Sequence, residues 1–132
     1  MRSTAQREIG GNLWAILAEP FHLPDWWPGY SGVEPDRRGL AVGARWKVVR
    51  TRAPGLLRGG SGEGLIVLDR VEPGHALAWS DVAACYRVAV ALDGGTVRLT
   101  LEAAPWRLLD LRRYPRQALG RLEALCETAS RL

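Results

Sequence analysis

The last quarter of the chain, Trp106 to Leu132, carries an apolar stripe with the spacing of an α-helix. The stripe consists of Ala118, Leu119, Leu122, Leu125, Cys126 and Ala129, which recur every three or four residues. No earlier segment has a helical pattern of comparable length. An amphipathic helix that follows a run of strands must bury its stripe against their sheet. We therefore predict an α+β fold in which a curved sheet packs around this helix.

Pro115 divides this C-terminal region. Proline lacks a backbone N–H and costs about 3 kcal/mol in a helix interior, whereas it is tolerated in the first turn. Leu108, Leu109 and Leu111 are periodic, but the regular stripe starts only at Ala118. We therefore predict a short helix or loose turn over 106–113, followed by a main helix with Pro115 in its first turn.

The middle of the chain has the alternation of β-strands. The clearest strand covers Val97, Leu99 and Leu101 on one face and polar residues on the other, as in an antiparallel sheet with one wet face. Further strands are predicted over 2–9, 33–35, 44–52, 65–71, 77–81 and 86–92, separated by turns such as Asp93-Gly94-Gly95. Two short helices, over 13–17 and 21–27, bridge the first two strands, and Asn12 is the predicted cap of the first. The glycine-rich segment 54–64 is a predicted loop.

Length and composition predict a single domain over residues 1–132. The apolar fraction of 47% is typical of a globular protein, and no apolar run approaches the roughly 18 residues of a membrane span. The first residues, Met1–Glu8, have no apolar core, which predicts no signal peptide and a cytoplasmic location. Cys85 and Cys126 lack CxxC spacing, so two free thiols are expected.

The formal charge is +4, and all but one of the 18 basic residues are arginine, the exception being Lys47. Arginine binds phosphate groups well. These arginines, however, are scattered among 14 acidic residues, which predicts no nucleic-acid partner. His22 and His75 lie far apart with no cysteine beside them, so neither a metal site nor a cofactor is predicted.

Several motifs resemble the START-like (SRPBCC) superfamily, which includes polyketide cyclases and dehydrases. They are Leu13–Pro20, Leu23–Gly29, Val42–Trp46, Val71–Trp79 and Gly95–Thr100, in the family's order. Leu13 stands where the family usually has valine, and Glu19 where it usually has aspartate. The resemblance implies a helix-grip fold: a curved seven-stranded antiparallel sheet around the C-terminal helix, with a hydrophobic cavity between them. It does not establish an activity, because one fold hosts many functions.

Aromatic and polar side chains are the candidate ligand contacts in such a cavity. Trp79 shares a strand face with Leu77, and period-2 geometry directs Asp81 to that face as well, unless it already lies in the turn that follows. Tyr86 lies on the corresponding face of the next strand. Asp81 and Tyr86 are the candidate catalytic groups, since a carboxylate in an apolar cavity has a raised pKa. The predicted ligand-binding residues are Trp27, Trp46, Trp79, Asp81, Tyr86, Trp106, Leu109 and Tyr114.

The last three of these residues are predicted from the resemblance, which places the start of the final helix at the cavity entrance. Trp106, Leu109 and Tyr114 are then candidate gate residues, and Arg112, Arg113 and Arg116 would meet an anionic ligand.

Three functions are consistent with this sequence. Binding of a small hydrophobic or aromatic molecule, lipid-like or polyketide-like, is favoured. A cyclase/dehydrase-type enzyme that uses cavity polar groups for acid–base chemistry is the alternative, so catalysis is left open. A protein-interaction module, with a sheet edge or the Arg112–Arg113 region as its contact, is the third, and a homodimer is left open as the assembly.

Overall fold

The computed structural model describes residues 1–51 and 62–130, which form one sheet and three α-helices. The strands are β1 (Arg2–Glu8), β2 (Tyr30–Glu34), β3 (Arg45–Arg50), β4 (Glu63–Glu72), β5 (Ala76–Asp81), β6 (Tyr86–Asp93) and β7 (Thr96–Ala103). The helices are α1 (Leu13–Ala18), α2 (Leu23–Trp26) and α3 (Leu108–Ser130), with short 3₁₀ turns at Pro20–His22 and Pro105–Arg107. The predicted α+β architecture is confirmed, including the two short helices between the first and second strands.

The sheet is antiparallel throughout, in the order β1-β7-β6-β5-β4-β3-β2. Strands β2 to β7 form a continuous meander, because their connections are too short for anything but adjacent pairing. Strand β1 joins the far edge beside β7, and α1 and α2 carry the chain from there to β2 on the opposite edge. Asn12 caps α1 as predicted, since its Oδ1 accepts a hydrogen bond from the Ala15 backbone N–H at 3.4 Å.

One face of the sheet packs against α3 and contributes most of the core. Leu99 and Leu101 on β7 and Val88 on β6 are fully buried, while the residues between them lie on the outer face. The buried face of α3 consists of Leu111, Pro115, Ala118, Leu119, Leu122 and Cys126. Full burial of one such leucine stabilises the fold by about 1.5–3 kcal/mol. Four residues of the predicted stripe, Ala118, Leu119, Leu122 and Cys126, therefore hold the helix against the sheet, whereas Leu125 is only half-buried and Ala129 is exposed.

The predicted break before Pro115 is wrong. Helix α3 begins at Leu108 and continues through Pro115 to Ser130, preceded only by the 3₁₀ turn. Leu111 and Pro115 are one helical turn apart, and both are buried on the face towards the sheet. Their apolar contacts offset the missing N–H of the proline, so tertiary packing overrides the local preference.

The boundaries of β4 also differ from the prediction. The predicted loop over 54–64 lies outside the described residues as far as 61, but Glu63 already belongs to β4. Strand β4 shifts register between Leu68 and Arg70 in its pairing with β5. Such a bulge adds local twist, which helps a sheet bend around a helix.

Among the described residues, no helix is both long and apolar enough to cross a membrane. Cys85 and Cys126 are free thiols, as predicted, with Cys85 exposed and Cys126 buried.

Candidate functional site

Four polar side chains lie side by side on the inner face of the sheet, the face that packs against α3. We call Tyr30, Arg50, Asp81 and Tyr86 the polar row. Each lies at the end of its strand, and the ladder pairs Tyr30 with Arg50 and Asp81 with Tyr86. Asp81 is the only residue with a charged side chain that is buried among the described residues. A charge survives in such a place only when it is paired and hydrogen-bonded.

Asp81 meets that requirement through three donors. Its Oδ1 accepts hydrogen bonds from an Arg50 Nη atom at 2.5 Å and from the Ala84 backbone N–H at 3.1 Å. Its Oδ2 accepts a hydrogen bond from the Tyr30 hydroxyl at 3.0 Å. Both carboxylate oxygens are therefore satisfied. Asp81 is the last residue of β5 and faces inward, so the alternation predicted its direction correctly and the turn alternative is wrong.

Arg50 reaches Asp81 by crossing β4 over a glycine. Gly64 lies on β4 between the two side chains, and a Cβ there would overlap the Arg50 guanidinium. A second Nη of Arg50 donates to the Glu63 carbonyl at 2.8 Å. The Arg50 side chain is 24% exposed, whereas Asp81 is fully shielded. The ion pair therefore connects a buried carboxylate to a guanidinium that touches solvent.

Aromatic rings surround the polar row in a group that we call the aromatic cluster: Trp26, Trp27, Tyr30, Trp79, Tyr86 and Tyr114. Trp27 is central, with edge-to-face contacts to Trp79 at 5.7 Å and to Tyr114 at 5.4 Å between ring centroids. The indole N–H of Trp27 donates to the Tyr86 hydroxyl at 3.3 Å, and that of Trp79 donates to the Tyr30 hydroxyl at 3.3 Å. Such pairs are favourable beyond their buried area.

The two tyrosines of the polar row remain protonated far into the alkaline range. Burial is the largest cause that raises the pKa of Tyr30, and the neighbouring Tyr86 and Asp81 raise it further. Burial likewise raises the pKa of Tyr86, although hydrogen bonds from Tyr30 and Trp27 partly oppose this effect. Both hydroxyls therefore act as neutral hydrogen-bond donors and acceptors rather than as bases.

In the part of the chain that the structure describes, three buried N–H groups beside these side chains have no hydrogen-bond acceptor: Trp26 Nε1, Arg50 Nε and Arg107 Nε. Trp26 contacts Trp79 within the aromatic cluster. Arg107 stacks on the Tyr86 ring, 5.5 Å from its centroid, and pairs with Asp110. Buried donors in folded proteins nearly always have acceptors, so three exceptions in one neighbourhood call for an explanation.

The polar row also borders the surface. An open cleft of about 590 Å³ lies at this end of the sheet, with Asp81 and Tyr86 on its wall. Its other lining residues come from the chain start, the β5–β6 turn and the end of β7: Met1, Arg2, Val82, Cys85, Arg87, Glu102 and Ala103.

The remaining predicted contacts are dispersed. Trp46 is buried away from the polar row, and its indole N–H donates to the Gly39 carbonyl at 2.9 Å. Trp106 and Leu109 are exposed, and only Tyr114 of the predicted gate residues touches the aromatic cluster, through Trp27. Trp27 and Trp79 contact other rings of that cluster. The hydrophobic cavity that these two side chains were predicted to line remains a prediction.

Sequence reasoning missed Arg50 and Tyr30. The signal for Arg50 was present, because the period that buries Trp46 and Val48 also directs residue 50 inward. A glycine inside a strand marks a close approach by another group, but Gly64 ends the glycine-rich segment 54–64 and was assigned to the predicted loop. Tyr30 follows Pro28-Gly29 directly, and no alternation precedes it to reveal its direction.

No family model matches the chain, and no curated protein is detectably similar to it. Solved structures do match. Protein NE0264 from Nitrosomonas europaea superposes with a TM-score of 0.75 at 15% identity, over 100% of this chain and 97% of that one. The KanY protein gives a TM-score of 0.66 at 19% identity, over 96% and 97% of the two chains. The Aha1 dimer from Colwellia psychrerythraea gives 0.64 at 15% identity, over 96% of each chain.

The chain has a helix-grip fold. At these identities the likeness extends to the architecture alone and assigns no ligand, reaction or assembly. Within residues 1–51 and 62–130, no three His, Cys, Asp or Glu side chains are grouped so as to hold a metal ion.

Proposed function

We propose that this chain is a START-like protein that binds a small molecule with an aromatic or apolar body and at least one acceptor oxygen. The proposed site lies where the polar row meets the aromatic cluster and the adjoining cleft. A lipid-like or polyketide-like molecule has this combination of groups. The sequence motifs described above and the helix-grip fold support the family assignment.

The observation that carries the proposal is the set of unpaired buried donors. Trp26 Nε1 and Arg50 Nε each lack an acceptor within residues 1–51 and 62–130, although both adjoin a network in which every oxygen of Asp81 is satisfied. Leaving such a donor buried and unpaired costs about 1–3 kcal/mol. Acceptor oxygens of a bound molecule would remove that cost, while the rings would cover its apolar body.

The ion pair itself supports a functional role rather than a stabilising one. A buried pair commonly gives no more stability than apolar residues of the same volume, because desolvation offsets the attraction. Asp81 and Arg50 therefore need a reason other than stability to occupy the inner face. Recognition of a polar group on a ligand is such a reason, since Arg50 extends from the buried carboxylate to solvent.

Native mass spectrometry of the protein purified from its own host tests the proposal directly. We expect a co-purified mass that is lost on denaturation. As a second test, the fluorescence of anilinonaphthalene sulfonate, which joins aromatic rings to an anionic group, should rise on binding to the wild type. Arg50→Met should reduce its affinity about tenfold or more, since a charge-assisted hydrogen bond contributes about 1.5–3 kcal/mol.

A matched control exists on an exposed part of β4. Arg70 also pairs with a carboxylate, that of Glu72, but its side chain is 56% exposed and lines neither the polar row nor the cleft. Arg70→Met should leave the affinity for the probe unchanged. Equal loss in both variants, or no loss in either, would contradict binding at the polar row, provided that circular dichroism shows both to be folded.

A second candidate function is acid–base catalysis of the cyclase/dehydrase kind. Acid–base catalysis needs at least two polar groups that converge on one point. The specific observation in its favour is that the structure brings four together, the members of the polar row. Asp81 would accept a proton, and the neutral Tyr86 hydroxyl would donate a hydrogen bond to a developing oxyanion. If the co-purified molecule loses water on incubation with the protein, Asp81→Asn should abolish that change while binding persists. Retained conversion would exclude Asp81 as the catalytic group, and conversion at the same rate without protein would leave binding as the function.

We also propose that the protein is cytoplasmic and that it forms a homodimer. The Colwellia neighbour is described as a dimer. Strands β1 and β2 each leave one side unpaired at the sheet edges, where a second copy could add a strand. Light scattering in solution distinguishes a dimer from a monomer of 14.5 kDa.

A further inference from the structure

The outer surface of α3 near its start combines basic and apolar side chains. Arg112 and Arg113 follow Leu109 by three and four residues and precede Arg116 by four and three, and all four side chains are exposed. At about 100° per residue they occupy one arc of the helix, turned away from the buried residues Leu111, Pro115 and Leu119. We call these four residues the basic helix face. It uses none of the residues of the polar row.

The arginines of this face are not engaged elsewhere. Arg112, Arg113 and Arg116 take part in no ion pair or hydrogen bond among the described residues. By contrast, Arg2, Arg70, Arg87 and Arg107 all pair with carboxylates. Three positive charges on two successive turns of one helix, none of them paired with a carboxylate among the described residues, attract an anionic surface.

Apolar side chains adjoin these charges. Trp106 in the preceding 3₁₀ turn is 77% exposed and Leu109 is 64% exposed. Tryptophan is usually largely covered in a soluble domain, whereas it concentrates where an apolar body meets polar headgroups. Val82, 76% exposed in the turn after β5, lies at the same end of the sheet as the start of α3.

We infer that the basic helix face and Trp106 form a docking surface for an anionic lipid membrane. The arginines would contact lipid phosphates, and Trp106 and Leu109 would enter the headgroup layer, as in interfacial amphipathic helices. Exposed apolar side chains favour lipid over nucleic acid, whose backbone offers charge but no hydrocarbon. The charge on this arc reverses at Glu123 and Glu127, so only the first half of α3 faces the membrane. This inference does not depend on the ligand of the polar row.

Vesicle co-sedimentation tests the inference with the full chain. We expect the wild type to bind vesicles of phosphatidylcholine mixed with phosphatidylglycerol and to bind weakly to phosphatidylcholine alone. Neutralising Arg112, Arg113 and Arg116 together to glutamine should reduce the partition coefficient by about a hundredfold, because each basic residue near an anionic surface contributes about fivefold. Trp106→Ala should weaken binding by a smaller factor without changing its dependence on salt.

The matched control carries the same change of charge on the outer face of the sheet. Arg45, Lys47 and Arg98 are exposed there, and their joint replacement by glutamine should leave vesicle binding within about twofold of the wild type. An equal loss of vesicle binding in the control would show that only the net charge of the protein matters, and it would overturn the inference. So would absence of vesicle binding by the folded wild type. Binding of a DNA oligonucleotide that depends on the three arginines, without vesicle binding, would also overturn it.

Discussion

Two arginine–aspartate pairs lie on opposite faces of the same sheet and differ in almost everything except composition. Asp81 and Arg50 face α3, and the carboxylate is fully buried. Asp69 and Arg87 face outward, with side-chain exposures of 32% and 40%. Asp69 also accepts from the Ser80 hydroxyl, so it has neutral and charged donors just as Asp81 does. Burial, rather than chemistry, therefore determines how strongly each pair is coupled to the fold.

The comparison also separates stability from recognition. The outer pair keeps both partners near water, so either can be lost without leaving a buried charge. The inner pair places one charge where it cannot be hydrated, and each partner makes the other necessary. The inner pair is thus the point at which the fold and the proposed ligand site depend on the same atoms.

The largest predicted difference follows from removing each aspartate. Asp81→Ala should destabilise the protein by about 3 kcal/mol, because Arg50 and Tyr30 lose their acceptor inside the core. Asp69→Ala should cost about 0.5 kcal/mol, as for an exposed pair. Urea unfolding, monitored by tryptophan fluorescence, measures both. Similar losses in the two variants would mean that the faces do not differ in this way.

A smaller effect is expected at the glycine that Arg50 crosses. Gly64→Ala should destabilise the fold by about 2 kcal/mol, because its Cβ would displace the guanidinium from Asp81. Gly10→Ala is the matched control, since nothing lies within 4 Å of a Cβ there. In the Arg50→Met background, Gly64→Ala should cost little further stability, which would assign the loss to this overlap. An equal cost of Gly64→Ala in both backgrounds would place the strain elsewhere.

The Tyr30 hydroxyl links the ion pair to the aromatic cluster, so its removal should break one hydrogen bond in each. Tyr30→Phe leaves Asp81 Oδ2 without a donor and Trp79 Nε1 without an acceptor. We expect a loss of about 1–2 kcal/mol in urea unfolding. Tyr114→Phe, in a half-buried ring on the other side of Trp27, should cost less. The reverse order would contradict the role given to Tyr30.

Alkaline pH should act on the inner face alone. The pKa values of Tyr30 and Tyr86 are raised in the folded protein, so their protonated forms contribute stability that is complete below the ordinary tyrosine pKa of 10.0 and falls as pH rises above it. The loss should be negligible at pH 8, reach about 1 kcal/mol for the pair near pH 10, where half of each unfolded tyrosine is ionised, and steepen beyond that. The double variant Tyr30→Phe, Tyr86→Phe should show a flatter profile. An unchanged slope would contradict the assignment.

Part of the inner face was predicted from the sequence, whereas neither member of the outer pair was singled out. Alternation on β5 and β6 placed Asp81 and Tyr86 on the inner face, and the meander followed from short turns. Arg50 escaped notice because charge suggests exposure, although Trp46 and Val48 had already set the direction of its strand face. The predicted helix break before Pro115 failed for a related reason. Its local cost is real, but burial of Leu111 beside it outweighs that cost, and burial depends on contacts that no local pattern contains.

Cys85 provides an experimental handle on this end of the sheet. It lies in the tight turn after β5 with a φ of 58°, a left-handed backbone angle that side chains other than glycine seldom adopt. Its thiol is exposed, whereas burial covers Cys126 and raises the pKa of its thiol. A maleimide dye would therefore label one position of the native chain, on the rim of the cleft that Asp81 and Tyr86 border. The protein thus carries a natural attachment point for a reporter beside the proposed site, with no cysteine to add and none to remove.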